Sequence, residues 1–416
     1  DFVPADSHSK NRAWYFEPDY SQTPYGRLWT LPWDTDASWG PNWNNGIDYS
    51  KAAIWSGVGR EPFRVAYRNN MREFRDLVWT EEVIERMIDD LAERIRVFAM
   101  ADRDRWRAAP AAVGTQDFGA METKVADMKR FAFVSWSGST GPAVPQGGRA
   151  LYLDQLAAAE GDAGKIPATP AAFYTGPEGF PMDALTFAAG DYSDPQNDPF
   201  GAMRWRLGAI TPPGAPFDPA VPRVYEVPAV WEAESTAYAR DVTIPMTVVV
   251  PGTLYRVRVK MMDATGRWSH WSQPVEFTAG PPLRPLPQVR WLRVTEIMYH
   301  PLGDSAYEFI EIQNIGPEAV DLHGVRFDGG IRFKFADSPD SLLGPGEHVV
   351  VVKDRAVFAT RFRTAAARIA GQYKGRLNNA GERIVLAYGA GLTILDFRFS
   401  DAWYPSTDGG GYSLVL

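Results

Sequence analysis

The chain has 416 residues, with 43 Lys and Arg against 51 Asp and Glu and a formal net charge of −8. Apolar residues at 45% and charged residues at 23% describe a globular chain of about two to four domains and exclude wholesale disorder. A net acidic balance argues against non-specific nucleic-acid binding, no apolar run approaches the ~18 residues of a membrane-crossing helix, and zero cysteines exclude disulfides, thiolate metal sites and a Cys nucleophile.

The front of the chain carries its most suggestive carboxylates. In Asp6-Ser-His-Ser-Lys-Asn11 a carboxylate stands five residues before a carboxamide, the spacing with which a kinase catalytic loop orients an acceptor hydroxyl and binds Mg²⁺. Arg12–Pro18 reads as a strand, Tyr20–Gly26 as a turn and Arg27–Leu31 as a returning strand. The return delivers Pro32-Trp33-Asp34-Thr35-Asp36, oxygen ligands of the kind a hard cation needs. The bland alternative is that these aspartates cap turns and solvate a loop. A helix follows over about 80–100, with Thr80 as N-cap and Glu81 and Glu82 at the positive end of its dipole. Ile84, Met87, Ile88, Leu91, Ile95 and Phe98 recur at three and four residues as its apolar face. Tyr67, Met71, Phe74 and Val78 predict another helix before it, entered through Pro62.

The run LPWDTDASWG, following N-x-x-W-Y-F, resembles the spore-coat-protein-H (CotH) kinase-like family of atypical secretory kinases over residues 1–135. The segments RNNMREFR and ADRDRW fit that family's C-terminal portion. The resemblance implies a partial kinase-like C-lobe with Asp6 as the catalytic Asp, and Asn11, Asp34 and Asp36 as candidate ligands of Mg²⁺ with ATP. A kinase's phosphate-covering loop, Lys and helix Glu precede its catalytic loop, and only five residues precede Asp6. The chain is therefore expected to be the C-terminal fragment of a larger protein and to be inactive by itself.

Residues 136–170 are rich in Gly, Ala, Ser and Pro and read as a linker, with a short helix at Arg149–Glu160. Residues 171–280 become short β-runs divided by turns. The loop Asp191-Tyr-Ser-Asp194-Pro-Gln-Asn-Asp198 clusters carboxylates that can either hold Ca²⁺ or simply form a turn. Strand alternation puts Tyr255, Val257 and Val259 on one face and Arg256, Arg258 and Lys260 on the other. Trp268-Ser-His-Trp271-Ser follows. In an extended three-per-turn conformation both indoles project to one side, where Arg256 and Arg258 are expected to slot between them as a cation–π ladder. The pattern is similar to the WSxWS motif of fibronectin type III domains, and Pro251–Tyr255 resembles a tyrosine-corner entry to a strand. The ladder is read as stiffening the sandwich, with direct ligand binding as the alternative.

Residues 281–289 read as a Pro-rich linker. Beyond it, Val294–Tyr299, Tyr307–Gln313, His348–Lys353, Arg383–Tyr388 and Tyr412–Leu416 are strands, with Ile310, Ile312, Val349, Val351, Ile384 and Leu386 as core. Their order, with LGPG, LNNAGERI and GGGYSL between or after them, closely resembles the lamin-tail domain, an immunoglobulin-like sandwich, over residues 290–416. Glu296, Glu308 and Glu311 lie on its strands and are expected to face solvent. The expected fold is multidomain, α+β and then all-β, a partial kinase-like lobe followed by two immunoglobulin-like β-sandwiches. The resemblances imply an extracytoplasmic bacterial protein. In one reading the parent is a kinase acting on a protein substrate or placed on a surface or matrix component. In the other it is an adhesive or structural protein with a degenerate kinase remnant. Neither reading involves nucleic acid or a membrane span.

Overall fold

The computed structural model describes residues 12–17, 27–32, 61–106, 121–134, 147–159, 161, 163–338, 341–362 and 368–416. The described chain is mostly β, with its longer helices between 61 and 159. At the front, Arg12–Glu17 and Arg27–Pro32 pair antiparallel, Arg12 opposite Pro32 and Glu17 opposite Arg27. These are the strand Arg12–Pro18 and the returning strand Arg27–Leu31 expected from the sequence, each to within a residue.

The chain forms two compact units that interleave along the sequence. One comprises Asp1–Phe173, Ala189–Arg240 and Arg256–Val275, and the other Tyr174–Ala188, Asp241–Tyr255 and Glu276–Leu416. The stretch 171–280, expected as one sandwich, is thus divided between them.

Among the described residues of the first unit four helices follow one another: α1, Glu61–Leu77; α2, Glu81–Trp106; α3, Met121–Phe133; and α4, Gly148–Ala159. Thr80 starts α2 as expected, its Oγ1 accepting the Val83 N–H at 3.2 Å. Trp79, Ile84, Ile88, Ala132 and Ala150 form a core to which α2, α3 and α4 each contribute. The α4 contribution lies inside the span read as a linker. Gly148 makes that approach possible: its φ is +62°, and a Cβ there would lie 2.6 Å from the Phe133 amide nitrogen. The expected apolar stripe of α2 is narrower than its sequence suggests. Ile84, Ile88 and Ala92 are buried, whereas Leu91, Ile95 and Phe98 are exposed. The reason is geometric. Lys129 pairs with Asp89 and Arg96 with Glu122, so α3 runs antiparallel to α2 and covers one side of it, beginning opposite Arg96.

The β part of this unit pairs Phe200–Ile210 antiparallel with Ala229–Ser235. On its other side lies the strand Leu254–Asp263, which belongs to this unit from Arg256 onward. Trp205, Leu207, Val257, Val259 and Met261 are buried on these strands.

In the second unit Thr186–Ala188 pairs with Asp241–Thr243. Tyr174, Phe180, Phe187, Tyr255 and Phe277 form a ring cluster, Phe180 and Phe277 stacking with centroids 5.0 Å apart. Tyr255 Oη accepts the Val250 N–H at 3.0 Å, a tyrosine tied back to the chain just before its own strand. Two five-stranded sheets follow. One orders Ile369–Gln372, His348–Val352, Phe309–Asn314, Leu292–Met298 and Leu414–Val415. The other orders Lys374–Gly375, Ile331–Lys334, Val325–Gly329, Arg383–Tyr388 and Leu392–Arg398. Their facing side chains form one core that includes all six residues expected there, Ile310, Ile312, Val349, Val351, Ile384 and Leu386. Leu286 is buried in the same core, and Pro287–Trp291 is a short helix packed on it. The Pro-rich joint is therefore partly built into the domain that follows.

Candidate functional site

Asp6, Asn11, Asp34 and Asp36 lie outside the described residues. The hairpin between them is described, and its last paired position, Arg12 with Pro32, stands one residue from Asn11 and two from Asp34 in the chain.

The densest polar site among the described residues surrounds Trp268 and Trp271. Residues 268–272 run extended beside the strand Leu254–Asp263. Ser269 N–H donates to Met261 O and Ser272 N–H to Val259 O. In return Ser269 Oγ accepts the Met261 N–H and Ser272 Oγ the Val259 N–H, each at 3.1 Å. This double stitch repeats every three residues, so both indoles face the same way. Lys260 Nζ lies 4.9 Å from the Trp268 ring centroid and 4.5 Å from that of Trp271. Arg204 sits over Trp268 at 5.2 Å and Arg206 over Trp271 at 5.5 Å.

The ladder therefore takes its arginines from the strand Phe200–Ile210. Arg256 and Arg258, expected between the indoles, reach carboxylates. Arg258 binds Glu226 through Nε and, at 3.1 Å, through Nη2, and donates from Nη1 to Ser272 O at 2.8 Å. Arg256 pairs with Glu82 at 2.9 Å and lies 3.5 Å from Glu226. Alternation correctly placed the three cations on one face, but the indoles are close enough to only one of them. Glu226 is buried and also lies 3.6 Å from Arg206. Gly208 makes room for it, since a Cβ there would lie 2.8 Å from Glu226 Cγ. Burial lowers the Arg206 pKa, and Glu226 opposes that shift.

A stripe of α1 closes the site. Asn69 accepts the Trp268 N–H at 3.0 Å and donates to Gly266 O at 2.9 Å. Glu73 takes the Lys260 ammonium at 2.7 Å. Asp76 accepts the Trp271 N–H at 2.8 Å and meets His270 Nδ1 at 2.8 Å. Positions 69, 73 and 76 fall on one helical face. Lys260 is buried, which lowers its pKa, while Glu73 pulls the other way. The arrangement is self-compensating, each ladder cation having a carboxylate within 4.0 Å. Beside α1 is a cavity of about 340 Å³ whose lining includes Arg75, Asp76, Asp154 and His270. Arg75 holds Asp154 with two bonds of 2.8 Å, and Asp76 holds His270.

The acidic loop is resolved differently from the expected trio. Asp194 and Asp198 converge with Asp263, at the end of the strand Leu254–Asp263, one carboxylate oxygen of each lying within 4.8 Å of the others. Asp191 is exposed and is not part of the group. Asp194 Oδ1 accepts the N–H groups of Gln196 and Asp198 at 2.8 and 2.9 Å. Asp263 Oδ1 accepts from the Thr265 N–H, the Thr265 hydroxyl and the Arg267 N–H. Asp263 was invisible as a member because it lies 65 positions beyond Asp198 in the sequence.

In the second unit Glu308 overturns the expectation that strand carboxylates face solvent. It is 1% exposed. Its Oε2 accepts the Tyr373 hydroxyl at 2.8 Å and the Leu377 N–H at 2.9 Å, and its Oε1 meets Lys353 Nζ at 3.0 Å. Burial, and then the Glu308 charge, raise the Tyr373 pKa strongly. Glu296 and Glu311 are half-buried and hydrogen-bonded to Ser413 and Thr295. No carboxylate pair suited to acid–base work is formed by these three.

Residues 287–398 match the family model described as Lamin Tail Domain. That stretch is a lamin tail domain. No curated protein matches the chain. Among solved structures the chain is similar to red sea bream transglutaminase at 10% identity and a TM-score of 0.18, over 61% of this chain and 33% of that one. It is also similar to a DUF4876 family protein from Bacteroides thetaiotaomicron at 11% identity and a TM-score of 0.19, over 53% of this chain and 66% of that one. The chain thus spans a third of the transglutaminase and just under two thirds of the Bacteroides protein.

Proposed function

We propose that the chain mounts a CotH-like phosphotransfer segment on a fibronectin type III-like sandwich bearing a WSxWS-type ladder, with the lamin tail domain placing the protein on an extracytoplasmic surface or substrate. One observation carries this reading. The segment RNNMREFR, which bears the family resemblance, is part of α1, and its Asn69 and Glu73, with Asp76 just beyond, fasten that helix to the Trp268–Trp271 ladder. The front hairpin adds support by pairing Arg12, one residue from Asn11, with Pro32, two residues from Asp34. In this reading Asn11, Asp34 and Asp36 hold Mg²⁺, which neutralises charge on the transferring phosphate, while Asp6 orients the acceptor hydroxyl.

The test is Mg²⁺-ATP-dependent phosphorylation of protein substrates by the full-length protein. Asp34→Ala is expected to lower turnover by about 10²-fold or more. Asp6→Ala is expected to slow transfer while nucleotide binding, followed by calorimetry, stays largely intact. Turnover indifferent to Asp34→Ala would favour a structural or adhesive protein with a degenerate kinase remnant.

A further inference from the structure

We propose that Asp194, Asp198 and Asp263 bind a calcium ion. The proposal stands apart from the phosphotransfer reading and uses none of its residues.

The first observation is convergence. Three carboxylates from two separate parts of the chain, a loop and a strand end, bring one oxygen each to within 4.8 Å of the others. The second is how the remaining oxygens are used. The Oδ1 atoms of Asp194 and Asp263 are consumed by backbone and hydroxyl donors that shape their own loops. Their Oδ2 atoms are buried and have no hydrogen-bond partner. Asp263 is wholly buried, with 0% exposure. A carboxylate oxygen removed from water without a donor is costly, and two of them beside a third carboxylate repel one another as well. A cation at their focus removes both penalties together.

The chemistry of the donors selects the cation. All three are hard, anionic oxygens, and the trio contains neither the imidazole nor the thiolate that zinc favours. Mg²⁺ demands near-octahedral geometry at about 2.0–2.1 Å and gives up its waters reluctantly, whereas Ca²⁺ takes about six to eight oxygens at about 2.3–2.6 Å. Calcium also accepts irregular coordination completed by carbonyls and water, which suits a site built from a loop and a strand end. Asp198 has a further property useful for a test. Its N–H donates to Asp194 and its carbonyl accepts the Tyr192 hydroxyl, yet its carboxylate carries none of the described loop hydrogen bonds.

The experiment is thermal unfolding and calorimetry of the 416-residue chain in EDTA, in calcium chloride and in magnesium chloride. Calcium is expected to raise the melting temperature over EDTA, with a dissociation constant in about the 10⁻⁵–10⁻³ M range. In Asp198→Asn the affinity should fall by about tenfold or more, since ligand charge sets affinity at such sites. The variant should melt in EDTA no lower than the unaltered chain, having lost one repelling charge. Asp194→Asn, which keeps the Oδ1 acceptor, should also weaken binding. A wild-type chain indifferent to calcium would overturn the proposal, and so would calcium binding that Asp198→Asn leaves unchanged. An equal response to magnesium would overturn the assignment to calcium.

Discussion

Glu308 shows how a single residue can be misread from its neighbours. In Tyr307-Glu-Phe-Ile-Glu-Ile-Gln strand period two puts it on the face of Ile310 and Ile312, and only its charge assigned it to solvent. The structure buries it because a tyrosine, a backbone amide and a lysine, 45–69 positions away in sequence, converge on its two oxygens. No local pattern reports partners that distant. Glu308→Ala would leave the Tyr373 hydroxyl and the Leu377 N–H buried without an acceptor, at an expected cost of about 2–4 kcal/mol in the stability of the lamin tail domain. Glu308→Gln retains one acceptor and should cost less. Calorimetric unfolding of the two variants would show it, and equal, negligible losses would mean that water replaces the carboxylate.

At the scale of elements, strands and helix starts were legible where a short-range rule governs them. Thr80 begins α2, and the Arg383–Tyr388 strand has the bounds that its spacing and flanking turns indicate. The choice of cations in the ladder was not legible. Period two says which residues share a face, but not which neighbouring strand brings Arg204 and Arg206 over the indoles. Asn69, Glu73 and Asp76 form a polar stripe that, in sequence, is indistinguishable from a solvated helix face. Their role as a mount makes a quantitative claim. In a double-mutant cycle of Glu73→Gln and Lys260→Gln, the coupling energy should be about 1–2 kcal/mol. Lys260→Gln alone should cost more than Glu73→Gln, because it also forfeits two cation–π contacts of roughly 0.5–2 kcal/mol each. Additive losses would show that α1 is not fastened through this pair.

At the scale of the whole chain, composition drift marks proline- and glycine-rich stretches but not what they do. Proline and glycine mark a change of direction whether the segment is a free tether or packed into a core. Leu286 belongs to the lamin tail core and Pro287–Trp291 packs on it, so the domain begins before the joint ends. Residues 284–416 should therefore give a dispersed amide spectrum on their own. Residues 292–416, lacking Leu286 and the short helix, should be less stable by about 2–4 kcal/mol, chiefly from lost apolar burial. A collapsed spectrum from 284–416 would show that the domain needs the rest of its unit, in which Met246 packs on the same core.

The stitching by Ser269 and Ser272 has a consequence for how the molecule behaves in a crowd. The strand Leu254–Asp263 has the short strand Val275–Thr278 as its second neighbour, and where a strand outruns its neighbour it presents open amide and carbonyl groups that another chain can extend into a fibril. Here the amides of Val259 and Met261 are taken up by serine hydroxyls and their carbonyls by serine amides. The indoles and cations hold that seal in place. The ladder thus forms a selvedge, a finished border that leaves the backbone of Val259 and Met261 no open group on that side for another chain to pair with.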